Sequence, residues 1–553
     1  MNENWEEKFD SLLYEYSLLS SEHNQLKLSH ERLKTYTSYL EEENQELKKL
    51  IKDYEFPQTR AKTEENLISR SASIISMSKP GYLLTEVEKS QDMPAKAITP
   101  LKTPQPQPDN GIETEFSTCI YEGFFVIGIK PDTIKSKPQE QILFEFPTSS
   151  SISQSMKAII PGLALAIKDV RELRLTGSAS ELNNLIFGQI PPKRNNNCFI
   201  FTLRNETPGF GEISDMPNAN REVMYFICLL IDDITEFEGQ EWIAPKCYCI
   251  ASYVPSFELH YEVLCSILFL KRLHRMDLMQ TLVTGEMTSQ LSNIGVTKEG
   301  IELLEGLGKI VNIDELMEVS ISTSSLDCLK YTLPNDLNVL DIPWLCVPLF
   351  SSVLFTDFCW LISALVQEKS IIFASYNLGL VTSCVLAMRA LIRPLNWISL
   401  TIPLIPDDLR ELLEAPVPVL AGITHIEAKL RHRFPNIIWV LLDEQAPKHR
   451  VQFSSGLVNE VTEIDLNVSN TFKDFYIFDS ESTFDKTKES QENAIKIAKK
   501  LQNYWQGILD KFSTKAIKDP KTVKKIVNGF ATTEQKFINT LVTTQMFANS
   551  FEE

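Results

Sequence analysis

From Ile342 onward, apolar helical stretches alternate with short β-branched runs, and this alternation limits the available folds more than any other feature of the chain. A helix through Val366 leads to a strand at Ser370–Ser375, a helix at Leu378–Ile392, a strand at Ile398–Leu404 and a short helix at Asp407–Glu414. Val417–Ile423, a helical turn through His432 and Ile437–Leu442 follow, and Asp443 ends the last run. Repeated β-α-β predicts a mostly parallel sheet covered on both faces. The stretch Trp344–Val366 has the length of a membrane span. Because it contains Pro348, Ser351, Ser352 and Asp357, a buried helix of a soluble domain is expected, and no transmembrane segment. Beyond Lys486, apolar residues at three- and four-residue spacing predict helices over Ala494–Lys511 and Lys521–Phe551.

Upstream the pattern changes. At 553 residues the chain has room for three or four domains. Residues 116–276 show β-rich runs at Cys119–Ile129, Ile142–Phe146, Cys198–Arg204, Val223–Ile231 and Lys246–Val254, with a helix expected near Leu163–Leu175. A closing helix at Phe257–Met276 ends in Lys271, Arg272, His274 and Arg275, cations suited to a helix C-terminus. The expected class is an α+β sandwich with an antiparallel sheet. Residues 277–338 read as an exposed, variable connection with some helix.

At the other end, Leu12, Leu19, Leu26, Leu33, Leu40 and Leu47 recur every seventh residue, which makes 1–55 a coiled-coil helix. The a positions are Phe9, Tyr16, His23, His30, Thr37, Asn44 and Ile51, polar in the middle. Asn44 favours a parallel register, in which Glu22 faces Lys27 and Glu43 faces Lys48 of the partner. A parallel homodimer through residues 9–51 is expected; a single helix docking on another protein stays open. Residues 56–115, rich in Ser, Thr, Pro and Gln, bury too little apolar surface to offset ordering, and a disordered linker is expected.

Formal charge is −19, from 73 acidic and 54 basic residues. That excludes a general nucleic-acid binder and argues against simple electrostatic adsorption to anionic lipid. The start lacks a cationic flank followed by an apolar run, so a cytoplasmic location is expected. Ten scattered cysteines form no disulfide framework, and Cys247 with Cys249 supplies only two of four zinc ligands. The nearest approach to a phosphate-binding loop, Gly308-Lys309, has Leu303 and Ile310 at obligatory positions, and Gly177-Ser178 lacks a nucleophile elbow's second glycine. Asp232-Asp233 and Asp407-Asp408 read as carboxylates facing solvent or complementing a helix dipole. No catalytic residue, metal or cofactor is predicted.

The segments Leu365-Val-Gln-Glu-Lys-Ser-Ile-Ile-Phe-Ala-Ser375, Leu386-Ala-Met-Arg-Ala-Leu-Ile-Arg-Pro-Leu-Asn-Trp397, Ile402-Pro-Leu-Ile-Pro406 and Ala415-Pro-Val-Pro-Val-Leu-Ala-Gly422 resemble the central part of a DENN domain. Phe124–Ile129, Ile142–Pro147 and Cys247–Phe257 resemble the family's upstream lobe, which has a longin fold, and Phe537–Phe547 with Phe551 its helical downstream part. The resemblance implies a longin-like lobe over 116–276, a central DENN part over 339–445 and a downstream part over 446–553. The family often has Gln, His and Tyr where this chain has Ile398, Ser399 and Thr401, and an aromatic where it has Val419. The motif residues Trp397, Pro403, Pro406, Pro416, Pro418 and Gly422 are read as setting strand ends and turns.

The resemblance further implies a guanine-nucleotide exchange factor for a Rab-class small GTPase, acting in vesicle trafficking without covalent catalysis, in the cytoplasm and peripherally on vesicle membranes. Two alternatives remain: a non-exchanging scaffold, and a GTPase-activating protein presenting an arginine such as Arg204 or Arg221. In an alternating sheet, functional loops gather at the carboxyl ends of the strands, and Asn377, Asp407 and Asp408 are the candidate GTPase contacts.

Overall fold

The computed structural model describes residues 120–148, 152–165, 170–173, 197–204, 223–281, 295–310, 318–323, 329–334, 336–425 and, with short interruptions, 431–551. The heptad arm and the linker lie outside the described residues.

The first sheet is built from β1 (Gly123–Ile129), β2 (Glu140–Phe146), β3 (Arg171–Leu173), β4 (Cys198–Arg204), β5 (Val223–Phe237) and β6 (Gln240–Ser252). Its order is β2-β1-β6-β5-β4, with β3 also on β6, and every pairing is antiparallel. Helix α1 runs over Gln154–Ala164, not from Leu163. Ser153 caps it by accepting the Met156 N–H, and Met156, Ile160 and Ala164 line its buried side. Strands β5 and β6 are longer than their apolar runs and form one hairpin. Its turn places Glu238 and Gly239 at φ 53° and 71°, the positive values that a two-residue turn of matching twist requires.

Asp233 is carried into this hairpin and does not face solvent. Lys246 Nζ lies 3.0 Å and Lys271 Nζ 2.7 Å from Oδ2, and Arg275 Nη2 lies 2.6 Å from Oδ1. Burial alone would raise the Asp233 pKa, but Lys271, Lys246 and Arg275 hold the carboxyl far below the usual range. The two cations from α2 (Phe257–Thr281) thus turn inward, four residues apart on one face, and do not complement the helix end.

Helix α3 (Lys298–Gly308) and the hairpin of β7 (Glu318–Ile321) and β8 (Leu329–Thr332) follow. Leu303, Leu304, Leu307, Val319 and Ile321 are buried in the main core, so this part of 277–338 is packed, not exposed.

The apolar stretch after Ile342 is two helices, α4 (Ile342–Ser352) and α5 (Phe355–Val366), bent by 120°. Extended backbone at Val353 and Leu354 makes the break, where Arg450 donates to the Ser352 carbonyl and the Tyr476 hydroxyl to that of Val353 at 2.8 Å. Among the described residues no single helix is long and apolar enough to cross a membrane.

Next come β9 (Ser370–Ala374), α6 (Leu378–Leu391), β10 (Leu400–Ile402), a 3₁₀ helix (Asp407–Glu414), β11 (Val419–Ile423), β12 (Ile437–Leu441) and β13 (Val451–Gln452). The sheet order is β10-β11-β9-β12-β13, parallel except for β13. Alternation along β9 sends Ile371 and Phe373 to the main core, and Ile372 and Ala374 to a smaller one with Leu413, Ile405 and Trp439. Helix α6 is buried nearly all round. It packs on the parallel sheet and against β4, where the Thr382 hydroxyl accepts the Ile200 N–H at 3.2 Å and so covers an open sheet edge.

The remainder is α7 (Leu466–Lys473), α8 (Lys488–Leu509), α9 (Pro520–Val527), α10 (Thr532–Leu541) and α11 (Gln545–Asn549). The helical stretch expected over Lys521–Phe551 is divided into three helices. Turns at Asn528–Phe530 and a Thr544 cap on the Phe547 N–H divide it.

Candidate functional site

In a parallel sheet every strand delivers its following loop to the same edge. Here four such loops meet. Strand β9 ends in Ser375-Tyr376-Asn377, β11 in Thr424-His425 and β12 in Leu442-Asp443, while β10 is followed by the 3₁₀ helix that starts at Asp407.

Asp443 ties the first loop down. Its Oδ1 accepts from Ser375 Oγ at 2.5 Å and its Oδ2 from the Tyr376 N–H at 2.9 Å. Ser375 Oγ in turn accepts the Asn377 N–H at 2.9 Å. With its backbone held, the Tyr376 ring stands 62% exposed, an unusual position for so large a side chain. It stacks on His425 with centroids 5.4 Å apart and planes 20° from parallel, and its hydroxyl is 2.8 Å from Nδ1.

The 3₁₀ helix reaches the same place. Arg410 donates to Asp407 Oδ1 from Nε and Nη2 at 3.1 and 2.7 Å, and its Nη2 is 3.4 Å from the His425 carbonyl. Leu409, beside it, is 47% exposed. The edge therefore presents a fixed aromatic ring and an aliphatic side chain among Asp407, Arg410, Asp443 and Glu444. Exposed apolar side chains among charged ones are the material of a protein-binding surface. Among the described residues no cluster of His, Cys, Asp and Glu is arranged to hold a metal ion.

The sequence candidates fall in different places. Asn377 is at the edge, but its Oδ1 accepts the Leu380 N–H at 3.0 Å and caps α6. Asp407 is exposed and shares its carboxylate with Arg410. The Asp408 backbone lies in the 3₁₀ helix. Arg204 is exposed at the end of β4, and Arg221 lies outside the described residues.

Among the motif residues, Trp397 is buried and donates from Nε1 to the Leu400 carbonyl at 3.4 Å. Gly422 has no room for a side chain, since a Cβ would stand 2.3 Å from the Pro403 carbonyl oxygen and 2.1 Å from Val381. Pro403 is buried, Pro406 precedes the 3₁₀ helix, Pro416 is exposed, and Pro418 is half-buried beside β11.

Tyr376, His425, Leu409 and Arg410 were not singled out by sequence. A large aromatic between Ser375 and Asn377, at the end of an apolar strand, was the available signal. His425 was hidden because the residues after β11 read as a helical turn, not as a loop at the edge.

A family model described as DENN (AEX-3) domain matches residues 243–445. The match runs from β6 through the parallel sheet and takes in the whole candidate edge. The chain is 26% identical over 182 residues to DENN domain-containing protein 1A of Mus musculus, covering 32% of this chain and 16% of that protein. It is 28% identical over 178 residues to DENN domain-containing protein 1B of Mus musculus, covering 32% and 20%. With DENN domain-containing protein 2A of Homo sapiens the identity is 26% over 191 residues, covering 34% and 17%. The chain thus spans about a fifth or less of the length of these relatives.

Proposed function

Since the chain belongs to the DENN-domain family, we propose that it is a guanine-nucleotide exchange factor for a Rab-class small GTPase, acting in membrane trafficking. Such a protein needs no covalent step. It must bind the nucleotide-free GTPase more tightly than the loaded one, and the difference between those two affinities is the whole driving force. The observation that supports the reading is the exposed Tyr376, held by Asp443 and His425 at the strand-end edge that also carries Leu409, Asp407 and Arg410. Tyr376 is the anchor, because Asp443 and His425 fix it before binding and little side-chain freedom is lost on contact. Asp407 and Asp408 steer encounter with basic groups of the GTPase. The antiparallel lobe, read as longin-like, completes the cup around the switch loops. Parallel pairing through residues 9–51 joins two such bodies, which work in the cytoplasm and peripherally on vesicle membranes.

The test is release of a fluorescent GDP analogue from a panel of Rab GTPases by the full chain. At least one member should be accelerated. Tyr376→Ala should then lower kcat/KM by roughly thirtyfold, the loss of about 2 kcal/mol expected of a central aromatic anchor. Equal affinity for the GDP-bound, GTP-bound and nucleotide-free forms across the panel would reject exchange and leave a scaffold. Faster single-turnover GTP hydrolysis would point to activation by an arginine such as Arg204.

A further inference from the structure

The whole-chain charge of −19 conceals a local reversal: residues 496–536 hold ten lysines, no arginine and three carboxylates. The lysines of α8 are engaged at home. Lys499 pairs with Asp336 at 2.9 Å, and Lys496 and Lys500 lie over the Phe475 ring at 5.6 and 5.1 Å.

Helix α9 is different. Lys521, Lys524, Lys525 and Asn528 recur at i, i+3, i+4 and i+7, so they form one stripe, and all four are exposed. Val523, Ile526 and Val527 occupy the opposite side and pack on the main core, which fixes the direction in which the stripe points. Just beyond the helix, Lys511 Nζ sits 3.7 Å from the centroid of the Phe530 ring, and Lys536 is exposed on α10, which packs against α9. Among the described residues none of Lys511, Lys521, Lys524, Lys525 and Lys536 forms an ion pair with a carboxylate. The three carboxylates of the stretch are held by neutral donors: Asp519 caps α9, Glu534 accepts from Tyr504, and Asp510 accepts from Gln506.

We propose that the lysine stripe of α9, with Lys511 and Lys536, is a docking surface for an anionic lipid bilayer. This does not rest on the exchange reading. The total charge weighed against adsorption to lipid, but charges farther than about 8 Å are screened at physiological salt, so the field met by a membrane is set by the local lysines. The rest of the chain is acidic and turns this face toward a negative plane. A nucleic acid fits less well. Arginine supplies bidentate contacts to phosphates and bases, and exposed aromatics supply stacking, and the stripe has neither. Lysines are separate point charges on long stems, suited to a fluid array of headgroups without fixed geometry. Each adds about fivefold in affinity near an anionic surface.

The full chain should co-sediment with phosphatidylcholine vesicles containing about 30 mol% phosphatidylserine, and not with phosphatidylcholine alone, with binding lost at about 0.5 M salt. A Lys521→Glu, Lys524→Glu, Lys525→Glu variant should bind on the order of a hundredfold more weakly with an unchanged urea midpoint. Lys496→Glu, Lys500→Glu on α8 should stay within about threefold of the parent, since those side chains are turned to Phe475. Equal binding by the α9 variant, no preference for anionic vesicles, or binding of a single-stranded oligonucleotide in place of vesicles would each overturn the proposal.

Discussion

His260 shows how much a single buried residue contributes here. It is fully buried on α2, with Nε2 2.8 Å from the Ile120 carbonyl, so Nε2 carries the proton and the ring is neutral. Burial pushes its pKa down to about 4, against an ordinary 6.5. A base depressed in the folded state contributes stability that is complete above pH 6.5 and is lost as the pH falls toward 4. The full loss is roughly 3 kcal/mol. Asp233, held ionised in the folded state by its three cations, loses its contribution mainly below the ordinary carboxylate value of 3.8, where the unfolded chain takes up the proton, and so adds little between pH 6.5 and 4. Urea unfolding of the parent should therefore weaken between pH 6.5 and 4, and His260→Gln, which keeps a donor for Ile120, should flatten that slope. An unchanged slope would assign the acid sensitivity to another group.

At the scale of elements, what was legible followed from periodicity, and what was not depended on partners distant in sequence. The strands at Ser370, Val419 and Ile437 were readable because both faces are buried and the apolar runs are continuous. The break after Ser352 was not, since side chains of Arg450 and Tyr476 satisfy the carbonyls it frees. Nor was the continuation of β5 through Asp233, which depends on Lys271 and Arg275 from α2. The candidate edge was legible as a set of loops, but which of their side chains stay free was not. Asn377 illustrates this, because its amide oxygen is committed to the Leu380 N–H. Asn377→Ala should lower stability by about 1 kcal/mol through loss of the α6 cap, measured by urea denaturation. Asn377→Ser, which also caps, should restore most of it. Equal stability of all three would show that the cap is dispensable.

Among the described residues from Ile120 onward, the antiparallel sheet and the mostly parallel sheet share one core. Buried residues from β1, β5 and α2 and from α4, α6, α8 and α10 form a single continuous hydrophobic cluster. Helix α6 is the shared wall, bonded to β4 through Thr382 and to α8 through the Trp505 Nε1 contact with the Leu391 carbonyl at 3.1 Å. Unfolding either sheet alone would expose one side of that helix to water, at about 25 cal/mol for each Å² of apolar surface uncovered, so the two should unfold together. The cysteines report on both. Cys198, Cys228, Cys247, Cys249 and Cys265 are buried in the first sheet and α2, and Cys346, Cys359 and Cys384 in α4, α5 and α6. Burial pushes the Cys359 thiol up to about 11 and raises those of Cys346 and Cys384 well above the ordinary thiol range, which keeps them unreactive while folded. Labelling by a thiol reagent across a urea series, with each cysteine located by mass spectrometry, should give the same midpoint for both groups. Two separate midpoints would show that α6 does not couple the sheets and that the body is two domains in contact.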